Sequence, residues 1–176
     1  MMNFRALFTH AMDYEQFTQI GAEKNVEALR YFEALAGQAQ DKTLYERLSA
    51  LQGSYNILVV AEMWCPDCHR NLPAIRAVAR SAPHVSMGLI TREEAGDDFS
   101  AFFGVNKIHI PFAAVLNSDF GLLGQFIERP RNANDAQGNM TDSYRRGEML
   151  IDTTREIASV LFRAEELAAH YSRQNS

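Results

Sequence analysis

The residues with the clearest chemical potential are Cys65 and Cys68, the only two cysteines in the chain of 176 residues. Two cysteines are too few for a disulfide-stapled scaffold or for a metal site built from four cysteine ligands. They stand three positions apart in the order Cys-Pro-Asp-Cys, so we expect them to act together. A pair at this spacing indicates thiol–disulfide exchange or participation in a metal site.

The residues around the pair predict a strand before it and a helix after it. The apolar run of residues 55–61 contains β-branched side chains and is typical of a strand buried on both faces. Pro66 is favoured at the first position of a helix, which places Cys65 at or next to the N-cap. The free N–H groups of the first turn and the positive end of the helix dipole would stabilise a thiolate there. We therefore expect Cys65 to be the exposed, attacking thiol.

Cys68 lies one helical turn further along, so we expect it to be less exposed and to act as the resolving thiol. A resolving thiol attacks the mixed disulfide formed by the first cysteine and releases the reduced substrate. Asp67 stands between the two cysteines and has two effects of opposite sign. Its carboxylate opposes a nearby thiolate, but it is itself favoured at the N-terminus of a helix.

Haem attachment and zinc binding use similar residues. The segment from Cys65 to His69 matches C-x-x-C-H, but haem attachment of that kind normally requires export, and we find no signal peptide. The cysteines could bind zinc together with histidines from the set His69, His84 and His109, but the spacing matches no closed structural site. We expect neither haem nor a metal.

His69 is expected on the helix surface, where a charged ring would raise the thiolate fraction of the pair.

Hydrophobic periodicity predicts the elements that position the pair. Residues 1–54 contain two helical stripes and no clear strand; Gly37 is the expected end of the first helix, and Asp41 the expected cap of the second. The later predicted elements are strands at 85–91, 111–116 and 122–127, and helices at 93–103 and 148–171. This order implies a mixed sheet covered by helices. Phe102, Leu167 and Ala168 belong to the helix faces that we expect to point inward.

We divide the chain into an N-terminal helical extension, residues 1–54, packed on a core domain, residues 55–176. A long polar loop, residues 129–147, precedes the final helix, and loops of this length are usually functional or disordered. Its four arginines are expected to be solvated, with contact to an acidic substrate as the alternative; they are Arg129, Arg131, Arg145 and Arg146.

The motif and its context resemble the active site of the thioredoxin superfamily. The resemblance rests on Trp64-Cys65-Pro66-Asp67-Cys68 after an apolar strand, on Pro73, and on Ile110-Pro111 before a later strand, with a hairpin turn at 117–121. It covers residues 55–127 plus the final helix, and it implies an α/β thioredoxin-like fold, a mixed central sheet flanked by helices. It also implies that Ile110-Pro111 is the family's cis-proline, which faces the cysteines. The implied motif and groove residues are Trp64, Pro66, Asp67, Ile110 and Pro111.

The chain departs from the family pattern near the pair. Thioredoxins carry a buried acidic residue five positions before the tryptophan, as proton acceptor for the second cysteine; here that position is Val59. The candidates for proton transfer are then Glu62, the nearest carboxylate, together with His69 and His109, with water as an alternative. His109 is expected close to Cys65. The family's first strand is also missing, and its short last loop is replaced by residues 129–147, which favours a narrower substrate.

The resemblance implies a cytosolic thiol–disulfide oxidoreductase that reduces disulfides by dithiol exchange. Pro111 would shape the groove and leave the backbone of Ile110 free to pair with an extended substrate. No bound cofactor is expected, because the Cys65–Cys68 pair is the redox group and electrons would come from an external reductase or a small thiol. The substrate would be a disulfide-containing protein or small molecule. The alternatives are a thioredoxin-like binding protein whose thiols modulate a partner contact, and an oxidase or isomerase.

Composition and charge argue against other classes of protein. The chain has 17 Lys and Arg against 22 Asp and Glu, a net charge of −5, so we expect no nucleic-acid partner. Its hydrophobic fraction of 47% and charged fraction of 22% are typical of globular proteins. The longest apolar run is too short to cross a bilayer, so we expect no membrane association. We expect the protein in the cytoplasm, where thiols are kept reduced.

Overall fold

The central sheet contains four strands, β1 (Tyr55–Val60), β2 (Val85–Ile90), β3 (Phe112–Asn117) and β4 (Leu122–Ile127). Their spatial order in this computed structural model, which describes residues 1–176, is β2–β1–β3–β4. β1 pairs parallel with β2 and antiparallel with β3, and β3 pairs antiparallel with β4. The mixed sheet predicted from the order of elements is therefore confirmed.

The apolar run that predicts a buried strand forms β1. Ile57, Leu58, Val59 and Val60 are fully buried, because β1 lies between two other strands and the sheet is flanked by helices. The strand ends shortly before the cysteine motif, so a central and well-packed element delivers the pair to one end of the sheet.

Eight α-helices surround the sheet. They are α1 (Phe4–Thr9), α2 (Tyr14–Gln19), α3 (Glu23–Gln38), α4 (Lys42–Ser49), α5 (Pro66–Ser81), α6 (Arg92–Phe103), α7 (Asp142–Arg145) and α8 (Leu150–Gln174). α3 and α8 pack against α5, and α8 also contacts β4. On α6, the ring of Phe99 meets that of Phe112 of β3 at a centroid distance of 5.1 Å. None of the helices combines the length and apolar character needed to span a membrane.

The N-terminal region holds four helices, two more than the sequence predicts. α3 runs through Gly37 and ends one residue later, whereas the cap predicted at Asp41 is confirmed: its side chain accepts the Leu44 N–H at 3.1 Å. The region contributes buried apolar side chains to the same cluster as β1, among them Phe17, Leu29 and Leu48. Met12 forms a single antiparallel bridge with Leu89 of β2, and the region contains no strand.

Residues 129–147 are structured and are not a plain loop. They contain a 3-10 helix, Arg131–Ala133, followed by α7, and a bridge joins Asn134 to Met140. Ala133 and Tyr144 are buried. The segment therefore lies against the core and can position side chains there.

Three side chains predicted to point inward are exposed instead. α8 has 25 residues and so is about 37 Å long at 1.5 Å per residue, whereas a six-residue strand spans about 20 Å. The end of α8 consequently extends past the sheet, and Leu167 and Ala168 are exposed. Phe102 packs edge-on against Phe4 of α1 and against Phe103, but it is 49% exposed, so its predicted core position is also wrong.

Candidate active site

Cys65 is the N-cap residue of α5, and Pro66 occupies the start of the helix, as the sequence predicts. The Cys68 residue is fully buried and Cys65 is 6% exposed, so the predicted order of exposure is confirmed. The expectation of an openly exposed Cys65 is wrong. Cys65 is covered because it lies against Ile110, and its thiol donates a hydrogen bond to the Ile110 carbonyl oxygen at 3.7 Å.

The cis-proline turn faces the reactive cysteine. The peptide bond between Ile110 and Pro111 is cis, as the resemblance implies. The Ile110 carbonyl oxygen accepts the Cys65 thiol through one of its two lone pairs, and pairing of the Ile110 backbone with an extended substrate stays a prediction. Trp64, beside the pair, is 57% exposed, and the Arg92 guanidinium lies 5.6 Å from its ring centroid. An exposed aromatic ring therefore borders a nearly covered thiol.

The pKa values of the two thiols move in opposite directions. A hydrogen bond from the Cys68 thiol is the largest cause that lowers the pKa of Cys65, to about 7, and the backbone N–H groups of Cys68 and Asp67 add to it. Burial and the charge of the Asp67 carboxylate oppose this change. Burial, followed by the hydrogen bond to Cys65 and its charge, raises the pKa of Cys68 well above its ordinary value. Cys65 is therefore the thiol that ionises first.

Two residues of the 129–147 segment hold the Asp67 carboxylate. Arg129 donates from Nε to Oδ1 at 3.2 Å and from Nη2 to Oδ2 at 3.0 Å. The Tyr144 hydroxyl donates to Oδ1 at 2.6 Å. Asn71, one turn along α5, donates from Nδ2 to the Tyr144 hydroxyl oxygen at 2.9 Å and to the Glu128 carbonyl oxygen at 3.1 Å. The segment is thus joined by hydrogen bonds to the first turns of the helix that carries the cysteines.

Sequence patterns do not single out Arg129, Tyr144 or Asn71 as site residues. The expectation that Arg129 is simply solvated is wrong, because its side chain is 23% exposed and ion-paired with Asp67. One signal was available: a carboxylate disfavours a neighbouring thiolate, which favours a cation close to Asp67. The spacing of the four arginines, however, does not distinguish which of them supplies it.

His69 is buried and not on the helix surface. It is 6% exposed, and its Nε2 atom donates to the Met63 carbonyl oxygen, which can only accept. Burial lowers the pKa of His69, because an imidazolium in this position would lose its hydration. The prediction of a charged, surface-exposed His69 is therefore wrong.

The other two candidates for proton transfer are engaged with other groups. The Glu62 Oε1 atom accepts the Arg92 backbone N–H at 3.0 Å. The Nδ1 atom of His109 lies 3.5 Å from Glu128 Oε2, and its side chain is 56% exposed. A part for either residue in proton transfer stays a prediction. No three His, Cys, Asp or Glu side chains lie together as the ligands of a metal ion would.

Residues 11–145 match the model of a protein family described as thioredoxin. The chain is 30% identical to a Pseudomonas aeruginosa protein of unknown function, whose crystal structure matches with a TM-score of 0.84 over 93% of this chain and 99% of that one. An HIV epitope-scaffold is 29% identical, with a TM-score of 0.83 over 91% of this chain and 98% of that one. No curated protein matches the chain significantly.

The chain belongs to the thioredoxin family, within the thioredoxin superfamily, and its α/β fold is thioredoxin-like, as the motif implies. The matched region includes most of the N-terminal helices as well as the sheet. Family membership and the paired cysteines together fit a redox role.

Proposed function

We propose that the protein is a thiol–disulfide oxidoreductase that acts as a reductase, with Cys65 as the nucleophile and Cys68 as the resolving thiol. The observation that supports this most is the asymmetry of the pair. At the N-cap of α5 the pKa of Cys65 is about 7, whereas burial raises the pKa of Cys68. Because the thiolate is the attacking species, Cys65 can attack near neutral pH, whereas Cys68 keeps its proton until the second exchange.

The reaction proceeds by two exchanges. The Cys65 thiolate attacks one sulfur of the substrate disulfide, forms a mixed disulfide and releases the other substrate sulfur as a thiolate. Cys68 then loses its proton to the released thiolate or to water and attacks the Cys65 sulfur. This step breaks the mixed disulfide, releases the second substrate thiol and leaves a Cys65–Cys68 disulfide. Two electrons pass to the substrate, and an external dithiol reductase or small thiol restores the pair.

The pKa of Cys65 favours a reductase over an oxidase. Strong disulfide-forming oxidants carry an attacking cysteine whose pKa is about 3.5, whereas thioredoxin-type reductants have a value of about 7. A very acidic thiol stabilises the reduced form and makes the pair oxidising. With a pKa of about 7, Cys65 corresponds to the reducing type.

The proposed substrate contact lies between Trp64 and the cis-proline turn. Trp64 offers an exposed ring, and Ile110 lies directly against the Cys65 sulfur. Once Cys65 has ionised, its sulfur no longer donates a hydrogen bond to the Ile110 carbonyl oxygen, and that oxygen can accept a backbone N–H from an extended substrate.

Replacement of each cysteine by serine tests the proposal. The two variants are matched controls for each other, because each retains one of the two thiols. With insulin as the disulfide substrate and dithiothreitol as electron donor, we expect Cys65→Ser to lose turnover. When Cys68→Ser is first reduced and then mixed with insulin after removal of the dithiothreitol, we expect it to stop as a mixed disulfide after one attack, visible as added mass on the intact chain. Undiminished turnover by Cys65→Ser would contradict the mechanism. Equal capture of a partner by the variant lacking both cysteines would instead favour a binding protein.

A further inference from the structure

Asp67 places a negative charge at the start of α5, close to the thiol that is expected to ionise. Asp67 lies two residues after the N-cap, and its carboxylate is one of the causes that raise the pKa of Cys65 against the helix N–H groups. An uncompensated carboxylate two residues from Cys65 would lower the fraction of this thiol that is ionised. Its side chain is only 13% exposed, so water screens the charge poorly.

Arg129 is the cation that meets this carboxylate. Its two donated hydrogen bonds reach both oxygens of Asp67, a geometry that only a guanidinium supplies in one rigid group. The side chain is held in place from other sides as well: Nη2 lies 3.4 Å from Glu128 Oε1, and the guanidinium lies 5.9 Å from the Tyr144 ring centroid. Tyr144 is itself buried and donates to Asp67.

We propose that Arg129 is a positioning residue for the reactive thiol: its guanidinium fixes the Asp67 carboxylate and offsets part of its charge, so that this carboxylate opposes the Cys65 thiolate less than it would alone. The inference rests on the proposed function only in taking Cys65 as the reactive thiol. It assigns a chemical purpose to the 129–147 segment, since Arg129 begins this segment and Tyr144 lies near its end.

The other charged or titratable groups near the cysteine motif do not duplicate this role. They are Cys68, His69 and Arg70 on α5, Glu62 after β1, Arg92 at the start of α6, His109 and Glu128 beside the cis-proline turn, and Tyr144. Of the other two arginines, Arg92 donates to the Ile108 carbonyl oxygen and lies over Trp64, and Arg70 donates to the Arg145 carbonyl oxygen and lies 5.6 Å from the Tyr144 ring centroid. His109 faces Glu128. Only Arg129 is bonded to the Asp67 carboxylate through a positive charge.

The test measures how fast iodoacetamide alkylates Cys65 in the reduced full-length protein as pH is varied. The midpoint of this profile reports ionisation of the thiol, and the plateau at high pH reports its accessibility. Arg129→Gln should move the midpoint upward and slow alkylation at pH 6.5 by about fivefold, since a like charge nearby disfavours the thiolate. The plateau should stay unchanged.

Charge balance predicts the order of the other variants. Asp67→Asn, which removes the negative charge and keeps Arg129, should have the lowest alkylation midpoint. The unchanged protein and the double variant Arg129→Gln/Asp67→Asn should have similar, higher midpoints. Arg129→Gln, which leaves the carboxylate without its cation, should have the highest midpoint. Arg129→Lys, which keeps the charge, should stay near the unchanged protein. Arg131→Gln is the matched control, because it removes an equal charge from the same segment at an exposed position with no ion pair to Asp67.

Three results would overturn the inference. The first is an unchanged alkylation midpoint in Arg129→Gln. The second is a double variant that is alkylated as slowly as Arg129→Gln, which would indicate a purely structural role. The third is a midpoint change in Arg131→Gln equal to that in Arg129→Gln. If Arg129→Gln does not fold, Asp67→Asn still decides, because a midpoint that fails to fall contradicts the proposal. Alkylation requires no disulfide turnover, so failure of the proposed function would not be mistaken for failure of this inference.

Discussion

Cys65 and Cys68 are separated by one turn of α5, yet their surroundings give them different chemistry. Cys65 lies at the N-cap, near backbone N–H groups and the Ile110 carbonyl oxygen, whereas Cys68 has no exposed surface. The largest cause that lowers the pKa of Cys65 is the hydrogen bond from Cys68 itself. The resolving thiol therefore also activates the attacking one.

This coupling predicts different results for two replacements of Cys68. In Cys68→Ala the donor is lost, so the pKa of Cys65 should rise from about 7 toward the ordinary cysteine value of about 8.5. The thiolate fraction at pH 7 should fall accordingly. Cys68→Ser keeps an O–H donor and should retain most of the effect. The pH profile of Cys65 alkylation checks both variants, and identical midpoints for Cys68→Ala and the unchanged protein would contradict the coupling.

For individual site residues, the sequence predicts the features that adjacent residues determine. It predicts poorly the contacts made by residues far away in the chain. Cys65 at the N-cap follows from Pro66 and the preceding strand, because both signals are local. That Ile110-Pro111 faces Cys65 from 45 positions away follows only from the family resemblance, and the covering of the thiol by Ile110 is not predicted. The burial of His69 has the same origin: C-x-x-C-H fixes its place on the helix but not what packs over it.

Among the secondary-structure elements, α5 and the 129–147 segment form one hydrogen-bonded unit. Asn71 of α5 bonds to the Tyr144 hydroxyl, and its Oδ1 atom accepts from Thr153 of α8 at 2.7 Å. Asn71, Tyr144 and Thr153 are all buried. A buried polar network of this kind costs free energy when one member is removed, since its partners then lack hydrogen bonds.

Tyr144→Phe tests this network while it preserves the ring. The variant removes the donor to Asp67 and the acceptor for Asn71, and we expect it to lower the free energy of unfolding by about 1–3 kcal/mol. Urea unfolding followed by circular dichroism measures the change. The control is Tyr171→Phe at a 64%-exposed position of α8, which should leave stability nearly unchanged. Equal stability of the two variants would show that the network contributes little.

The long or strongly patterned elements could be predicted, whereas the short ones could not. β1, α5 and α8 have apolar patterns that extend over whole elements, and their existence and order are confirmed. α1, α2 and α7 have only four to six residues, too few for a helical period to emerge, and their stability comes from tertiary packing. The ion pair between Arg129 and Asp67 could not be predicted for a related reason, because a polar segment carries no periodic signal.

Considered as a whole molecule, the N-terminal helices share their core with the sheet. Phe17, Leu29 and Leu48 belong to one buried cluster with β1 and β3. The division at residue 54 stays a prediction, but the packing indicates that residues 1–54 help to hold the sheet together. A substitution that removes a buried side chain from residues 1–54 should therefore lower the free energy of unfolding of the whole protein.

Phe17→Ala provides the test. Phe17 is fully buried, and loss of such a ring in a packed core typically lowers the free energy of unfolding by about 3–5 kcal/mol. Ile20→Ala, three residues away and 57% exposed, is the matched control, with an expected effect within about 0.5 kcal/mol. Both are measured by urea unfolding. If Phe17→Ala matched Ile20→Ala, the N-terminal helices would not be part of the cooperative core.

The reduction potential of the Cys65–Cys68 pair tests the proposed reductase most directly. Trp64 is the only tryptophan and adjoins the pair, so its fluorescence can follow oxidation across a series of thiol redox buffers. We predict a reversible two-electron transition near the thioredoxin value of about −270 mV. A value near about −120 mV, typical of a strong oxidant, would contradict the account, as would the absence of any redox transition.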